Sequence, residues 1–388
     1  MRILALCSGH AHDDERVTQK EAISLVRLGY DLTVCAWRKG NYYAPGVKFV
    51  DVDTLQSFGK DCNGVTKTEV TRYERVIRLR NLYALVKKNT PDLIIAHEFE
   101  TGMLAWWINK RHKIPYVFDV HECYEETMHL IFSRFIRPLV RSLLLWWLRL
   151  IVRHAVGISV ASSASLSYRY AKKIGLPAIV LHNSPILDFF PYIDEDRDPI
   201  VIVHDGNLTF ERGALEILDA LALVKKQRNF KLLVLGAIPS EVKKPFMSKL
   251  SDLGLQRDVE LRGHLPWTEF GKIEATGQIG LICSQPVPNH MLSLSNKLYN
   301  YMACGLAVLG MKGSETEKII QQYSAGITVD TSKPEEIAKG IIWLIDHPAE
   351  RHQMASNGRK AIEDDLGWHR MENVMEKFYF GIKSGLNK

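Results

Sequence analysis

Two short segments place backbone amides, hydroxyls and cations where an anionic ligand could bind. The first is residues 205–213, in which Gly206 and Asn207 follow a strand pattern and Arg212 precedes a helix pattern. Gly206 lets a ligand approach the backbone closely, amides at a helix start favour an anion, and Arg212 carries a delocalised cation suited to phosphate oxygens. These residues indicate a diphosphate cradle. An ordinary strand-to-helix turn with a solvated Arg212 is the alternative interpretation.

The second segment is residues 293–308, where a polar loop enters a helix near Ser295 and the helix ends at Gly305. Lys297 lies in the first turn and Asn300 one turn later, so their side chains share nearly one face. Amides, hydroxyls and a cation would meet a ligand at this helix start. The alternative is a capped core helix, and the two interpretations are compatible.

Histidines follow two strand patterns in the N-terminal half of the chain. His97 and His121 both come at the carboxyl ends of strands, where open α/β sheets bind their ligands. They are therefore candidates for an active site, although a lone histidine is more often structural. His10 and His12, in the loop after the first strand, are weaker candidates.

Two acidic pairs have the Asp-x-Asp spacing that binds metal in some enzymes. Asp51 and Asp53 end a strand pattern, and Asp194 and Asp196 lie in a stretch without periodicity. Both pairs are better interpreted as solvated charges, so no metal site is expected.

The elements that must position these residues alternate between strand and helix patterns, which predicts parallel sheets. The predicted strands are 3–7, 31–37, 92–97, 115–119, 156–160, 179–182, 200–204, 231–236, 258–261, 279–283 and 307–309. We predict an N-terminal Rossmann-like domain at 1–183, a linker at 184–199 and a C-terminal Rossmann-like domain at 200–365. A last helix at 366–388 is expected to pack back on the first domain. The fold class is thus α/β, with two tandem domains and a ligand site expected in the cleft between them.

The composition is that of an ordinary globular protein. The chain has 388 residues, 46% of them hydrophobic and 24% charged, with a formal net charge of +6. The six cysteines lack metal-ligand spacing and are interpreted as buried hydrophobes in a reducing compartment. The N-terminus resembles a strand more than a signal peptide, and no segment reaches the roughly 18 apolar residues of a membrane span. A cytoplasmic protein is expected.

One segment, residues 130–154, is both strongly apolar and basic. No Asp or Glu occurs from Thr127 through Leu187, and arginines recur along one side of the predicted helix. The opposite side carries Ile136, Val140, Leu143, Trp147, Leu150 and Ile151. This pattern favours an interfacial helix on anionic lipid, and the alternative is a helix packed on the sheet with a basic solvent face. The predicted membrane contacts are Arg137, Arg141, Trp146, Trp147 and Arg149. Nucleic-acid binding is not expected, because no polar platform interleaves the aromatic residues.

The order of the motifs resembles the large family of GT-B-fold retaining glycosyltransferases known as family 4 or group 1. The resemblance rests, in chain order, on Asp14-Glu15-Arg16-Val17, Gly29-Tyr30, the strand at 92–97, Phe118-Asp119-Val120-His121-Glu122, the glycine and arginine segment at 206–213 and Lys297-Leu298-Tyr299-Asn300-Tyr301-Met302-Ala303. Each motif alone is weak, whereas the ordered set covers nearly the whole chain.

The resemblance implies a hexosyltransferase that moves a sugar from a nucleotide-diphosphate donor to a glycan or lipid-linked acceptor, in bacterial surface polysaccharide or glycolipid synthesis. The implied donor-binding residues are Gly206, Asn207, Arg212, Ser295, Asn296, Lys297 and Asn300. The implied catalytic residues are His121 and His97, and the acceptor side would carry His12, Arg16, Glu98 and Glu122. No metal or other cofactor is implied, because cations and helix dipoles can stabilise the leaving diphosphate.

Two positions differ from the family pattern. The family carries two glutamates seven residues apart, at the positions of Leu292 and Asn300 in this chain. Asn300 can bond a ribose hydroxyl without charge, whereas the Leu292 side chain cannot bond a hydroxyl at all. A non-catalytic relative that binds a nucleotide or glycan as a partner subunit is therefore the main alternative. An epimerase or phosphorylase on the same fold is a weaker one.

Overall fold

The computed structural model describes residues 1–37, 44–53, 72–121, 124, 132–193, 195–263, 265 and 267–386. It divides the chain into two compact units, each with its own parallel sheet. The first unit consists of Met1–His182 together with Met371–Lys388, and the second of Asn183–Arg370.

The first unit is built on a sheet of seven parallel strands. The strands are β1 (Arg2–Ala11), β2 (Asp31–Trp37), β3 (Lys48–Asp51), β4 (Leu93–Ala96), β5 (Tyr116–Val120), β6 (Gly157–Val160) and β7 (Ala178–Val180). The helices are a π-helix (Glu15–Ala22) continued by α1 (Ile23–Arg27), then α2 (Arg72–Asn89), α3 (Phe99–His112), α4 (Arg137–His154) and α5 (Leu166–Lys173). The strand order is β3-β2-β1-β4-β5-β6-β7. The chain therefore changes direction across the sheet between β1 and β4, which is where such sheets bind ligands.

The second unit repeats this plan with six parallel strands. They are β8 (Ile200–Asp205), β9 (Phe230–Leu235), β10 (Val259–Leu261), β11 (Ile279–Leu281), β12 (Ala307–Met311) and β13 (Gly326–Val329). The helices are α6 (Ala214–Lys225), α7 (Ser240–Asp252), α8 (Trp267–Glu274), α9 (Pro288–Leu292), α10 (Asn296–Cys304), α11 (Glu315–Tyr323), α12 (Pro334–Asp346) and α13 (Pro348–Ala361). The strand order β10-β9-β8-β11-β12-β13 puts the change of direction between β8 and β11.

Apolar runs form the strands because both faces of each sheet are covered by helices. Residues of β1, β4 and β5 are buried almost without exception, and the same holds for β8, β9 and β12. Continuous burial of this kind is typical of parallel sheets. The predicted α/β class with two Rossmann-like sheets is thus observed.

The boundaries differ from the predicted ones in a few places. The stretch 184–199, predicted as a linker, belongs to the second unit, where Phe190 is buried in the core. The last helix, α14 (Trp368–Leu386), joins the first unit from Met371 onward. The strand β13 was missed because its sequence, Gly-Ile-Thr-Val, is too short to show a period. Four described cysteines, Cys7, Cys35, Cys283 and Cys304, are free and buried as expected, while Cys62 and Cys123 lie outside the described residues.

Candidate functional site

In the second unit, two cations converge on the glycine that follows β8. Gly206 has a φ of +78°, and a Cβ placed on it would lie 3.4 Å from Lys297 Nζ and 3.6 Å from Arg212 Nη1. The Arg212 guanidinium is fixed by donating to the Asn207 carbonyl at 3.0 Å. The carboxyl end of β8 therefore carries a glycine under two positive side chains, an arrangement that suits an anionic ligand.

The surroundings of Lys297 lower the pKa of its ammonium group. It is buried at the start of α10, with 9% of its surface exposed. Burial and the Arg212 charge together lower the pKa of Lys297 to about 8, although Asp205 and Glu274 act in the opposite direction. An anion bound beside Lys297 would offset both causes and restore its charge.

The neighbouring polar residues tie β8 to α10. Asn300 donates from Nδ2 to the Asp205 carboxylate at 3.1 Å, and the Tyr301 hydroxyl accepts from the Asp205 backbone amide at 2.8 Å. The same hydroxyl lies 3.2 Å from the Val203 and Leu281 carbonyls, on β8 and β11. Tyr301 thus holds α10 against β8 and β11, where the strand order changes direction. Lys297, at the start of α10, is thereby placed near the carboxyl end of β8.

Most of this group was predicted from the sequence as a set of donor-binding residues, and that role stays a prediction. The structure brings Gly206, Asn207, Arg212, Lys297 and Asn300 together at one end of the sheet. Ser295 forms the N-cap of α10 and Asn296 its first residue, so both lie at the same helix start. Asp205 lay in the predicted segment 205–213 but was given no role, although an acidic residue at the last position of a buried strand is itself a signal.

His204 was also missed by sequence reasoning. It is 1% exposed, and its ring lies beside the Asn207 backbone. Burial and the charges of Lys297 and Arg212 keep its pKa well below the ordinary value, so the ring is neutral.

In the first unit, a carboxylate fills a concave set of backbone amides at the end of β1. The amides of Ser8, Gly9 and His10 donate to the Glu98 carboxylate at 2.8 to 3.2 Å, and the Thr101 hydroxyl donates at 3.2 Å. Successive amides of this kind bind anions in many α/β proteins. Here the chain supplies the anion itself, so Glu98 anchors the end of β1 that carries His10.

His10 is held charged by the acidic groups around it. Its Nδ1 lies 2.8 Å from Asp14 Oδ2. Burial alone would lower the pKa of His10, but the hydrogen bond and charge of Asp14, with the charges of Glu98 and Asp119, raise it to about 9. Asp14 also accepts from the Val17 amide, which caps the π-helix.

A second cluster forms around Asp119, at the end of β5. His97 Nδ1 lies 3.2 Å from Asp119 Oδ2, and His121 Nε2 contacts the same oxygen. The other oxygen accepts from Ser159 Oγ at 2.7 Å and from Arg16 Nη2 at 3.1 Å. His97 and His121, predicted together from separate strands, are thus neighbours with rings 5.4 Å apart.

The charges in this cluster are set mainly by burial and by Arg16. Arg16 also contacts Glu21 at 2.9 Å, and both residues are buried. Although burial opposes ionisation of Asp119, the Arg16 charge keeps the pKa of this carboxyl well below its usual range. Burial lowers the pKa of His121 to about 4, and the charges of Arg16 and His10 contribute in the same direction.

His97, Asp119 and His121 could also hold a metal ion, because their ligand atoms all lie within 4.8 Å of one another. The buried Arg16 cation on the same carboxylate opposes a second positive charge there. We therefore interpret the cluster as a hydrogen-bonded network. The sequence-based expectation that no metal takes part stays a prediction.

Other predicted acceptor-side residues lie elsewhere or outside the described residues. The His12 ring packs against Phe49 at 5.0 Å, and Nε2 lies 3.3 Å from the Val50 carbonyl on β3. His10, rather than His12, contacts the histidine cluster, with its ring 4.8 Å from that of His121. Arg16 is an internal ion-pair partner. Glu122 lies outside the described residues.

One member of each acidic pair is the partner of an arginine. Both carboxylate oxygens of Asp53 accept from Arg78 at 2.8 Å, and Asp196 pairs with Arg351. Asp51 bonds the Asp53 amide, and Asp194 lies outside the described residues.

Helix α4 packs differently from the sequence-based expectation. Leu144, Leu148 and Ile151 are buried in the core, and Val140 and Trp147 pack against it. The side that we predicted to rest on lipid is therefore largely the side that covers the sheet. A stripe of large apolar side chains is nevertheless exposed, and it includes Leu143 from the predicted apolar side: Phe135 (79%) just before the helix, then Leu139 (72%), Leu143 (54%) and Trp146 (54%).

The predicted membrane contacts divide accordingly. Trp146 is exposed as part of this apolar stripe, and Arg149 is exposed beside it. Arg137, Arg141 and Trp147 are half-buried. In the part of the chain that the structure describes, no helix combines the length and the hydropathy needed to cross a bilayer.

Family models match both units of the chain. Residues 188–361 match the family described as glycosyl transferases group 1, and residues 15–182 match the glycosyl transferase 4-like domain. Together the two matches cover well over half of the chain. The chain belongs to the group 1 glycosyltransferases.

Among curated relatives of this group 1 glycosyltransferase is an alpha-D-kanosaminyltransferase from Streptomyces kanamyceticus. It is 21% identical over 262 residues, which is 63% of this chain and 64% of the relative. The matches span 29%, 48% and 64% of the lengths of three curated relatives.

Solved structures share the fold over the whole chain. A sucrose-phosphate synthase from Thermosynechococcus elongatus has a TM-score of 0.78 at 14% identity, covering 99% of this chain and 100% of that one. HepE from Anabaena, in complex with UDP-glucose, has a TM-score of 0.70 at 15% identity and covers 98% and 100%. At such identities the likeness establishes the fold, and the GT-B prediction is confirmed.

Proposed function

We propose that this group 1 glycosyltransferase moves a sugar from a nucleoside-diphosphate sugar to a hydroxyl of a glycan or lipid-linked acceptor. The observation that carries the proposal is the convergence of Arg212 and Lys297 over Gly206. Two cations beside a glycine, whose backbone no side chain covers, suit the diphosphate of such a donor. The solved complex of HepE with UDP-glucose motivates a uridine donor as the first to test.

The reaction breaks the bond between the anomeric carbon and the diphosphate, and negative charge develops on the leaving oxygen. Groups that stabilise this charge more in the transition state than in the bound donor accelerate the step. Arg212, Lys297 and the amides at the start of α10, near Ser295 and Asn296, would fill this role. Transfer of a hexose with retention of configuration is proposed on the family resemblance.

The first unit would contribute to sugar and acceptor recognition. His97 and His121 are the proposed sugar contacts. The half-buried His10 adds a group that is charged at neutral pH. Arg16 and Glu98 would act indirectly, because both are engaged in internal contacts that hold Asp119 and the His10 loop.

We further propose that the protein works at the inner face of a bacterial membrane, in surface polysaccharide or glycolipid synthesis. The apolar stripe of Phe135, just before α4, and Leu139, Leu143 and Trp146 on the helix supports this proposal, since isolated exposed side chains are common but a contiguous stripe is not. Arg149 and Arg153 lie exposed beside it, and their charge favours anionic lipid.

A second candidate is a nucleotide- or glycan-binding partner subunit without transferase activity. It is favoured by Asn300, which donates its amide to Asp205, and by Leu292, which cannot bond a sugar hydroxyl. In this case the diphosphate would bind but would not be displaced.

A ligand screen followed by turnover assays tests these proposals. UDP, GDP, CDP and their sugars are added singly, and one should raise the melting temperature because it binds only the folded state. Lys297→Ala should weaken that ligand roughly ten- to a hundred-fold, as expected for a charge-assisted contact. Lys226→Ala is the matched control, because Lys226 is exposed and follows the end of α6 that is remote from Arg212.

Transfer is then measured with the stabilising donor and membrane-derived acceptors, and NMR of the product gives the anomeric configuration. Stabilisation without turnover would favour the binding subunit. No stabilisation by any nucleotide, or equal loss in both lysine variants, would contradict the donor site.

A further inference from the structure

Asp119 has hydrogen-bonding partners on both of its oxygens, and each set has a different consequence. On Oδ1, Ser159 and Arg16 are both donors, at 2.7 and 3.1 Å. Arg16 can only donate, and its fixed positive charge beside Oδ1 holds Asp119 as an ionised carboxylate. The carboxylate is fully buried at the end of β5, so it cannot turn away from these partners without breaking them.

The Oδ2 atom then determines which nitrogen of His121 carries the proton. An ionised carboxylate oxygen can only accept a hydrogen bond. His121 contacts this oxygen through Nε2, so Nε2 must be the protonated nitrogen. His97 presents Nδ1 to the same oxygen at 3.2 Å, and the same reasoning protonates that atom.

The remaining nitrogen of His121 is left as a hydrogen-bond acceptor. The ring is neutral at neutral pH because burial and the cations Arg16 and His10 depress its pKa to about 4. A neutral imidazole protonated on Nε2 carries a lone pair on Nδ1. The polar contacts of the His121 ring with Asp119 and His97 both run through Nε2, and 11% of the side chain is exposed.

We propose that Asp119 is a positioning residue that fixes His121 in the Nε2-protonated tautomer, so that Nδ1 accepts a hydrogen bond from a hydroxyl of the bound ligand. The identity of the ligand as a sugar or acceptor rests on the proposed function, whereas the tautomer does not. Arg16 and Ser159 support the arrangement by holding Asp119. His121 therefore selects ligands that offer a hydrogen-bond donor at this point.

The tautomer is measured directly on the full chain, without any ligand. In long-range ¹H–¹⁵N spectra of histidine-labelled protein, assigned with His121→Asn, Nε2 of His121 should appear protonated and Nδ1 unprotonated at pH 7. In Asp119→Asn the single carbonyl cannot serve both sets of donors, and the His121 tautomer is expected to shift. A charged His121 ring, or a proton on Nδ1 in the wild type, would overturn the proposal. Signals that move on treatment with EDTA would instead indicate a bound metal ion, which also contradicts it.

The role of Nδ1 is tested with two replacements that mimic different ring atoms. The side-chain carbonyl of asparagine can take the place of Nδ1, whereas that of glutamine reaches the place of Nε2. With the donor found in the ligand screen, His121→Asn should keep at least ten-fold more kcat/KM than His121→Gln. Melting temperatures of all variants control for general destabilisation.

Equal losses in the two replacements, with matching melting temperatures, would reject the hydrogen-bonding role while leaving the proposed function intact. If no donor is turned over at all, the proposed function fails, and the NMR result still decides the tautomer.

Discussion

Lys297 and Arg212 approach the same point on the backbone from two different elements. Lys297 comes from the start of α10 and Arg212 from the turn before α6, and both end within 3.6 Å of the place where Gly206 would carry a Cβ. A side chain at residue 206 would occupy the space between the two cations. The glycine is thus required by its backbone conformation and by the space that it leaves open.

Gly206→Ala should therefore have two separable effects. The positive φ of +78° costs about 1–2 kcal/mol for any residue with a Cβ, and the methyl group also crowds Lys297 and Arg212. We expect a lower urea midpoint and a loss of nucleotide binding of at least ten-fold. Gly254→Ala is the matched control, because Gly254 also has a positive φ, +65°, with nothing within 4 Å. Equal nucleotide affinity in the two variants would show that the space above Gly206 is not used.

Nucleotide binding should weaken as the pH rises above about 8. The pKa of Lys297 in the free protein is about 8, because burial and the Arg212 charge disfavour its ammonium form. An anionic ligand favours the charged form, so binding is strongest below this pH and falls as the lysine loses its proton. Calorimetric titrations with UDP from pH 6.5 to 10 measure the slope. Lys297→Arg, which stays charged, should bind with a flatter pH profile, and an identical profile would exclude Lys297 as the titrating group.

The His10–Asp14 pair should make the stability of the protein depend on alkaline pH. The folded pKa of His10 is about 9, above its ordinary value of 6.5, so its contribution is fully present below about pH 6.5. The contribution is lost as the pH rises through 9. Asp14→Asn keeps a cap for the π-helix but removes the charge. Its urea midpoint should change less between pH 6.5 and 9.5 than that of the wild type, and parallel curves would contradict the pairing.

Removing the exposed apolar stripe of α4 should reduce binding to anionic vesicles. Each fully buried large apolar side chain contributes about 1.5–3 kcal/mol. Leu139→Ser with Trp146→Ser should therefore lower co-sedimentation with phosphatidylglycerol vesicles at least ten-fold. Phe380→Ser removes an equally exposed aromatic residue, 68% accessible, from the last helix and serves as the control. Binding that is unchanged in the double variant, or equal on zwitterionic vesicles, would reject this face.

The positions of the proposed donor-binding residues were predictable because they follow from the alternation of strands and helices. Arg212 and Lys297 each lie just before or within the first turn of a helix that follows a strand, and parallel topology brings those points to one edge. The choice between His10 and His12 was not predictable. The pairing of β1 with β2 shifts between Leu6 and Ala11, and this irregularity turns the amides of residues 8–10 toward Glu98.

The orientation of α4 was misjudged for a related reason. Apolar residues occur on both sides of this helix, so periodicity alone does not say which side covers the sheet. Arg137 and Arg141 were predicted to contact the membrane, yet both are half-buried. Contacts with α3, including the edge-on approach of Trp147 to Trp106 at 5.4 Å, decide the orientation, and such contacts depend on tertiary packing.

The return of the last helix to the first unit determines how this protein could be dissected. Met375, Phe378 and Tyr379 are buried, and the Phe378 ring approaches Gly157 so closely that a Cβ there would lie 2.7 Å from it. A fragment that ends after residue 182 would lack this helix. The apolar surface that the helix covers would then be exposed to solvent, and we expect the fragment to aggregate. The second unit, by contrast, is encoded by one uninterrupted stretch, Asn183–Arg370. A soluble N-terminal fragment would require the final segment grafted back through an artificial loop, or supplied as a separate peptide.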